Sequence, residues 1–309
     1  MAGFTPKFLE QEKSLASQGT VEAAIVAFLP MPTPPAGLGT PLTQTRFAVL
    51  DTESTGADPE NDKVIEVAAR VWFLNRQHKA PFVFESYVNP GCKIPPSSMA
   101  VHHITNDKVD GAPSLSDVVL SMSEILEGAI PVAYNAEFDR KILHGTSLHE
   151  KYWVDVYRLA MKTWSIGQEN ADGFALKSFK QQELRYWLGV RPAPGEAHRA
   201  AADIYVTGLV FQAAVDIFLA SGMPDDARLF MDWLEAPIIH KTIPFGGCAG
   251  RTPEELDDYE LRRHFDSSRD MYEALVRFNV LDYLRPEMMR RALSEKTPPR
   301  QQKGMGVKR

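Results

Sequence analysis

The pattern of apolar and polar residues early in the chain predicts three β-strands. An apolar run at 47–50 leads directly into the acidic segment 51–53, and the Ser, Thr and Gly at 54–56 break the pattern. Apolar residues alternate with other types over 65–71 and form a third run at 82–88. Because the connections between these runs are short, they indicate an antiparallel meander.

Apolar spacings of three and four residues predict helices beyond this meander. One helix begins at Ser114 or Ser116 and stops at Gly128. The remaining predicted elements are strands at 130–134 and 153–156 and helices at 136–143, 157–165, 175–188 and 199–221, with Gly189 as a helix stop. Strands followed by alternating helices and strands favour an α/β fold, a mixed sheet with helices on its faces.

Shifts in composition divide the 309 residues into four parts. Residues 1–44 are interpreted as an N-terminal extension that ends in a proline-rich linker, because repeated prolines cannot continue a helix or a central strand. The main domain is predicted over 45–222. A small C-terminal module follows at 223–284, and a basic tail, expected to be disordered, occupies 285–309.

Composition and charge narrow the class of protein. Apolar types make up 44% of the chain and charged types 24%, which is typical of a folded globular protein. The longest apolar run, 23–31, is too short to cross a bilayer and no secretory signal pattern precedes it, so we expect a cytoplasmic protein with no membrane partner.

The net charge is −6, so a nucleic acid would have to bind through local basic groups or metal ions. Two cysteines, Cys92 and Cys248, are too few for a disulfide framework.

Three short motifs contain the candidate chemistry. Asp51 and Glu53 are two residues apart at the end of a strand, so their side chains point to the same face and can approach one ion, although a solvated sheet edge shows the same pattern. Asp139 lies in the first turn after a short strand, where a carboxylate also favours the helix start and Asn135 can serve as its N-cap.

The third motif pairs a histidine with an acid five residues later. His198 and Asp203 would point about 140° apart if both were helical. If His198 instead lies in the loop before the helix, its imidazole can reach a site that Asp203 approaches from the helix. The alanines between them fit a helix packed closely on a sheet, but they do not explain the acid or the histidine.

Together the motifs D-x-E, N-x-x-F-D and H-x-A-x-x-D, in this order, resemble those of the DEDDh 3′-to-5′ exonuclease superfamily. The resemblance covers about residues 45–222. It implies a ribonuclease H-like fold, with a mixed five-stranded sheet and flanking helices, to which this chain adds a small C-terminal unit. It also implies two Mg²⁺ ions, for which Mn²⁺ can substitute, because phosphodiester cleavage needs charge neutralisation and hard oxygen ligands.

The resemblance also implies roles for individual residues. Asp51 would bridge both ions, Glu53 and Asp203 would bind the ion beside the attacking water, and Asp139 would hold the second ion. His198 would be the general base, since an imidazole accepts a proton near neutral pH. The residues implied to contact substrate are Thr52, His102, Asn135 and Phe138. For His102 the alternative role is a turn ahead of a short helix. For the aromatic residues Phe138 and Trp164, the alternative to a stacking surface for a base is a place in the core.

The C-terminal part leaves its role open. The stretch 240–251 looks like a short F-G-x-x-x-G element that follows the nuclease domain in some members of the superfamily, and a tight turn is the alternative. The resemblance of this element implies DNA rather than RNA as the substrate. A single-stranded or frayed 3′ end is expected, because only an unstacked terminal nucleotide can lie across two metal ions. An exoribonuclease and a catalytically silent adaptor or proofreading subunit bound to a polymerase are the competing hypotheses.

Overall fold

A mixed sheet of five strands organises the first part of the chain. The strands are β1 (Phe47–Ser54), β2 (Val64–Trp72), β3 (Val83–Tyr87), β4 (Ile130–Ala133) and β5 (Val154–Asp155), in the order β3-β2-β1-β4-β5. The first three pair antiparallel, whereas β4 is parallel to β1 and β5 is parallel to β4. The predicted meander, mixed sheet and fifth strand are therefore confirmed.

The computed structural model describes residues 39–74, 83–148, 152–190, 200–236, 238, 246–252, 255–257 and 259–260. Its helices are α1 (Pro96–His102), α2 (Asn106–Val109), α3 (Leu115–Ser121), α4 (Ser123–Leu126), α5 (Ala136–Ile142), α6 (Val156–Thr163), α7 (Gln181–Trp187), α8 (Ala200–Ala220) and α9 (Ala227–Glu235). Short 3-10 helices lie at Leu42–Gln44 and Gly246–Cys248. The chain divides into two compact units, Met1–Ala236 and Pro237–Arg309.

Helices cover both faces of the sheet, so alternate residues of β1 are buried on opposite sides. Ala48 and Leu50 pack with the apolar face of α3 and α4. Phe47 faces the other way and meets Phe211 of α8 edge to face, at 4.9 Å between ring centroids. Asp51 and Glu53 continue the set to which Phe47 belongs, so the strand directs both carboxylates towards α8.

Helix α8 is the central helix of the fold. It is long and apolar enough to cross a membrane by length and composition alone, but 72% of its most apolar window is buried inside the protein, as in a core helix. Gly208 lies directly against the ring of Trp72 on β2. Position 208 needs a glycine for this close approach, because a Cβ there would meet the indole.

The prediction of a helix over 175–188 is wrong for its first six residues. Helix α7 begins at Gln181, because the Glu183 carboxylate in its first turn reaches back and accepts hydrogen bonds from the backbone N–H groups of Lys177 and Ser178. The segment before it is held extended. The predicted stop is confirmed, since Gly189 has φ +70° and Val190 N–H donates to the Arg185 carbonyl.

Helix α9 lies beyond residue 222, where the sequence pattern placed a separate module, yet it packs on the core of the first unit. The Phe230 ring contacts Phe211 and Phe218, at 6.4 and 5.2 Å between centroids. The buried Arg158 of α6 donates to the backbone carbonyls of Leu234 and Ala236 at the end of α9. The first unit therefore extends to Ala236, because aromatic packing and this capping arginine join α9 to it.

Candidate active site

The carboxyl ends of three parallel strands meet at one edge of the sheet, and acidic residues follow each of them. Strand β1 ends with Asp51 and Glu53, β4 leads into α5 with Asp139, and β5 ends at Asp155. In α/β sheets this edge is where ligands bind, because loops and helix starts gather there. The topology therefore brings together acids that are far apart in sequence.

Three of the predicted acids form one cluster. Ligand oxygens of Asp51, Glu53 and Asp203 all lie within 4.8 Å of one another. Asp203 comes from the first turn of α8, the helix that covers the face of β1 to which the two β1 carboxylates point. Oxygen donors at this spacing suit a hard divalent cation such as Mg²⁺ or Mn²⁺.

Asp139 lies beside this cluster and is buried. Its Oδ1 accepts a hydrogen bond from the Thr52 hydroxyl at 2.9 Å. Burial, with a smaller contribution from the neighbouring Asp155 carboxylate, raises the pKa of Asp139 to about 7, and the hydrogen bond from the Thr52 hydroxyl opposes this shift. Thr52, predicted to contact substrate, thus orients an acid in this structure; its contact with substrate stays a prediction.

Asp51 is repelled by several neighbouring carboxylates. Burial and the charges of Asp139, Glu53 and Asp203, in that order, raise the pKa of Asp51 well above its usual value. A group of carboxylates that repel each other in this way is stabilised by a bound cation, which replaces the missing positive charge. The donor set and its electrostatics therefore fit a metal site.

Side chains around Asp203 hold it in place. The Gln182 side-chain amide on α7 donates to Asp203 Oδ1 at 3.2 Å. The neighbouring Gln181 amide donates to the Asp203 backbone carbonyl at 3.1 Å and to the Thr207 hydroxyl at 2.8 Å. Helix α7 thereby fixes both the position of the α8 start and the orientation of one carboxylate.

A further acid, Glu66, links the elements of the site. It lies on β2 directly opposite Glu53 and is fully buried. Its carboxylate accepts a hydrogen bond from the backbone N–H of Ala200, the first residue of α8, at 3.2 Å. An acid at a helix N-terminus satisfies a free N–H group and is favoured by the helix dipole.

The predicted nucleotide-contacting histidine is buried. His102 Nδ1 accepts from the Ile104 backbone N–H at 3.0 Å, and Nε2 has no hydrogen-bond partner among the described residues. Burial lowers the pKa of His102. Val101 beside it is 54% exposed, so in this structure the valine, rather than the imidazole, faces solvent.

The other predicted contact residues differ in exposure. Asn135 is exposed at the start of α5, and its side chain makes no capping hydrogen bond, so the expected N-cap contact is absent from this described helix. Phe138 is half-buried and packs on the core cluster. Trp164 is buried edge to face against Trp187, at 6.2 Å between centroids, which fits the predicted alternative of a core residue.

Some predicted features lie outside the described residues. These are His198, the extension and linker before residue 39, part of the 240–251 stretch and the basic tail. Within the described 246–252 segment, Gly250 has φ +86°, the conformation of a tight turn.

Sequence reasoning missed three residues at the site: Glu66, Asp155 and Gln182. Asp155 follows an apolar strand and precedes a helix, which is the same signal that identified Asp51 and could have found it. Glu66 lies in a mostly apolar strand, and a charged residue in a buried strand is also a detectable signal. Gln182 carries no such signal, because only the packing of α7 on α8 brings it to Asp203.

Comparisons with known proteins point to one family. A family model described as "Exonuclease" matches residues 48–211. The chain is 27% identical over 241 residues to Exodeoxyribonuclease 10 of Escherichia coli (strain K12), a match that covers 78% of this chain and 94% of that protein. It is 29% identical over 170 residues to DNA polymerase III subunit epsilon of Treponema pallidum, covering 55% of this chain and 76% of that protein.

Two further similarities differ in how much of the relative they cover. A DNA polymerase III subunit epsilon-like protein of Rhodobacter capsulatus is 32% identical over 190 residues, which are 60% of this chain, and the match spans only 26% of that protein's length. Among solved structures, Exonuclease X in complex with 5′ overhanging duplex DNA is 25% identical, with a TM-score of 0.44, and the match covers 60% of this chain and 99% of that one.

Proposed function

Because this chain belongs to the exonuclease family whose model matches residues 48–211, we propose that it removes nucleotides from the 3′ end of DNA by metal-dependent phosphodiester hydrolysis. One observation carries the proposal: Asp51, Glu53 and Asp203 converge within 4.8 Å at the carboxyl edge of the sheet. Asp139, held by Thr52, lies next to them. In a catalytically silent adaptor these carboxylates would only repel one another, which lowers the stability of the fold without serving a function.

Two Mg²⁺ ions, or Mn²⁺ in their place, are the proposed cofactors. When bound, they would neutralise the scissile phosphate, activate the attacking water and stabilise the leaving 3′ oxygen. Asp51, Glu53 and Asp203 would hold one ion, and Asp51 with Asp139 the other. The raised pKa values of Asp51 and Asp139 support this assignment, because burial and neighbouring carboxylates disfavour their charged forms, and a bound cation would offset both effects.

The protein's own residues would orient the reaction. Thr52 fixes the rotamer of Asp139 and Gln182 fixes that of Asp203, so both carboxylates are positioned before substrate arrives. Glu66 holds the first residue of α8, directly after the segment that contains His198. His198 is proposed as the general base that takes the proton of the attacking water.

DNA is the proposed substrate, supported by similarity to an exodeoxyribonuclease along 94% of that relative's length. RNA trimming is the competing activity, because recognition of a 2′-hydroxyl depends on one or two contacts. Similarity to an epsilon subunit supports a polymerase as a further protein partner, in addition to catalysis.

The proposal is tested with matched 5′-labelled single-stranded DNA and RNA, in Mg²⁺, in Mn²⁺ and in EDTA. We expect a ladder that shortens from the 3′ end of DNA, requires a divalent ion and disappears in Asp139→Asn. Glu127→Gln, an exposed acid on the surface, is the matched control and should retain full activity. Metal-independent cleavage would contradict the proposal, and absence of cleavage of either polymer would favour the adaptor.

The role of His198 has a separate test. His198→Ala should lower turnover by about 10²-fold or more, because a general base contributes this much to a proton transfer. Binding of Mn²⁺, measured by calorimetry, should change little, since the histidine is not among the proposed ligands. Unchanged turnover would exclude His198 as the base.

A further inference from the structure

One exposed aromatic ring lies on α7, the helix that contacts Asp203 of the carboxylate cluster, and a second lies on the segment just before this helix. We propose that Tyr186 on α7 and Phe174 in the hairpin 169–175, which an antiparallel bridge between Glu169 and Ala175 closes, stack against unpaired bases of the substrate strand upstream of its terminal nucleotide. The two rings are together called the aromatic strip. The inference rests on the proposed function, since it takes single-stranded DNA as the ligand. It adds a binding subsite and predicts a preference for 3′ ends with an unpaired tail.

Helix α7 connects the strip to the site. Gln182 donates its side-chain amide to Asp203 Oδ1. Tyr186 is four residues further along the same helix, so it lies on the same face, about 6 Å along the axis. A strand whose 3′ end lies on the carboxylates therefore has this ring one helical turn away.

The Tyr186 ring is supported on one side and open on the other. The Arg185 guanidinium lies 5.0 Å from the ring centroid and also donates to Gln182 Oε1 at 2.8 Å. Arg185 is itself buried, whereas Tyr186 is 69% exposed. A ring fixed by a cation and open to solvent is suited to base stacking, which every base can provide through its π-face.

Phe174 is held in the same region by backbone hydrogen bonds. Its N–H donates to the Asn170 side-chain oxygen at 2.9 Å, and its carbonyl accepts from the Trp187 indole N–H at 2.8 Å. Trp187 belongs to α7, so the hairpin and the helix are joined at this point. The Phe174 ring is nevertheless 70% exposed. The fold thus fixes the backbone of a large apolar side chain without burying its ring.

Charge favours a polynucleotide as the occupant of the strip. Lys177 and Lys180, both exposed, lie between Phe174 and Tyr186 in sequence. Alternating aromatic and basic residues are the combination that binds single strands, by stacking on bases and neutralising phosphates. In a chain with a net charge of −6, these two exposed lysines are positive groups that can neutralise phosphates of a bound strand.

The binding test measures fluorescence anisotropy of a labelled oligothymidylate of about 16 nucleotides in EDTA, so that no cleavage occurs. Tyr186→Ala and Phe174→Ala should each weaken binding about five- to tenfold, and Tyr186→Phe should retain it. The control is Tyr152→Ala. Tyr152 is 71% exposed but precedes the amino end of β5, at the sheet edge opposite the carboxylates. If Tyr186→Ala and Tyr152→Ala bound the oligothymidylate with equal affinity, the proposal would be overturned. That result is expected if the strip instead binds a protein.

The catalytic test separates the strip from the proposed function. Thymidine 5′-(4-nitrophenyl phosphate) occupies only the terminal site, so strip variants should hydrolyse it at the wild-type rate. Their kcat/KM on oligothymidylates should fall about five- to tenfold once the strand is long enough to reach the strip. An equal loss on the small substrate would overturn the subsite. If wild type hydrolyses neither substrate while strip variants still bind DNA more weakly, the proposed function fails and the subsite stands. Tighter binding of oligouridylate would reassign the strand to RNA.

Discussion

At the scale of single residues, the site is built from side chains that destabilise the free protein. Burial and mutual repulsion raise the pKa values of Asp51 and Asp139, which means that their charged forms are disfavoured where they lie. Thr52, Gln182 and Glu66 restrain the geometry around these charges. The carboxylates that lower the stability of the metal-free protein are therefore the ones proposed to bind the cation.

Replacing one of the mutually repelling carboxylates should raise the stability of the metal-free protein and at the same time remove its activity. Asp51→Asn removes the charge at the centre of the cluster, so we expect the free energy of unfolding in EDTA to increase by the order of 1 kcal/mol. The same variant should lose exonuclease activity and binding of Mn²⁺. Urea unfolding and calorimetry measure the two effects. A variant that is less stable than wild type in EDTA would contradict the assigned repulsion.

Glu66 is expected to act through the helix it holds. Glu66→Ala leaves the buried Ala200 N–H without this acceptor, which should cost about 1–3 kcal/mol and loosen the start of α8. We expect weaker Mn²⁺ binding and a lower kcat with little change in KM, because Asp203 lies one turn further along α8. Glu66→Gln keeps an acceptor oxygen and should recover part of the loss.

A variant of an exposed acid is the control for this role of Glu66. Glu60→Ala, on the turn between β1 and β2, should change neither stability nor metal binding. If Glu66→Ala lowered stability but left metal affinity and kcat at their wild-type values, the residue would be structural only.

At the scale of elements, α8 combines two tasks. Its first turn contributes Asp203 to the cluster, and the rest of its length is packed in the core. Its depth against the sheet depends on Gly208, since a Cβ at this position would lie 2.3 Å from an atom of the Trp72 ring. The packing of one glycine is therefore coupled to the position of Asp203, a proposed metal ligand about one and a half helical turns away.

Gly208→Ala should displace α8 from the sheet. An alanine favours the helix by about 1 kcal/mol, but overpacking against a buried indole costs about 1–3 kcal/mol, so we expect a lower Tm and weaker Mn²⁺ binding. Gly39→Ala, where nothing lies within 4 Å of the added Cβ, is the control and should leave both unchanged. A higher Tm for Gly208→Ala would contradict this prediction, because it would mean that the Trp72 ring moves aside at little cost.

At the scale of the whole molecule, the carboxylate cluster links folding to pH and to metal ions. Asp139 has a pKa of about 7 in the folded protein, against 3.8 for an ordinary aspartate. Between these two values the folded state binds extra protons, so the stability of the metal-free protein should fall as pH rises from about 4 to about 7. A divalent ion binds the ionised carboxylates, so its stabilising effect should grow over the same range.

Thermal unfolding at several pH values, in EDTA and in Mn²⁺, measures this linkage. The difference in Tm between the two conditions should be small near pH 5 and larger near pH 8. Asp51→Asn should show a much smaller dependence on the metal. A Tm in EDTA that rises steadily from pH 5 to pH 8 would contradict the raised pKa values.

The sequence by itself determined the elements that depend on local pattern and the candidate acids. Alternation of apolar residues predicted the meander, spacing predicted most helices, and the order of the motifs identified the family that the comparisons also found. The acids Asp51, Glu53, Asp139 and Asp203 were detectable because strand ends and helix starts are visible in a linear pattern.

The tertiary structure alone decided which distant residues meet. The helix over 175–188 begins six residues late because Glu183 folds back on the chain before it. α9 joins the first unit through ring contacts with Phe211 and Phe218. Glu66 and Gln182 reach the site only because β2, α7 and α8 pack side by side. Contacts of this kind depend on burial and long-range packing, which local periodicity does not encode.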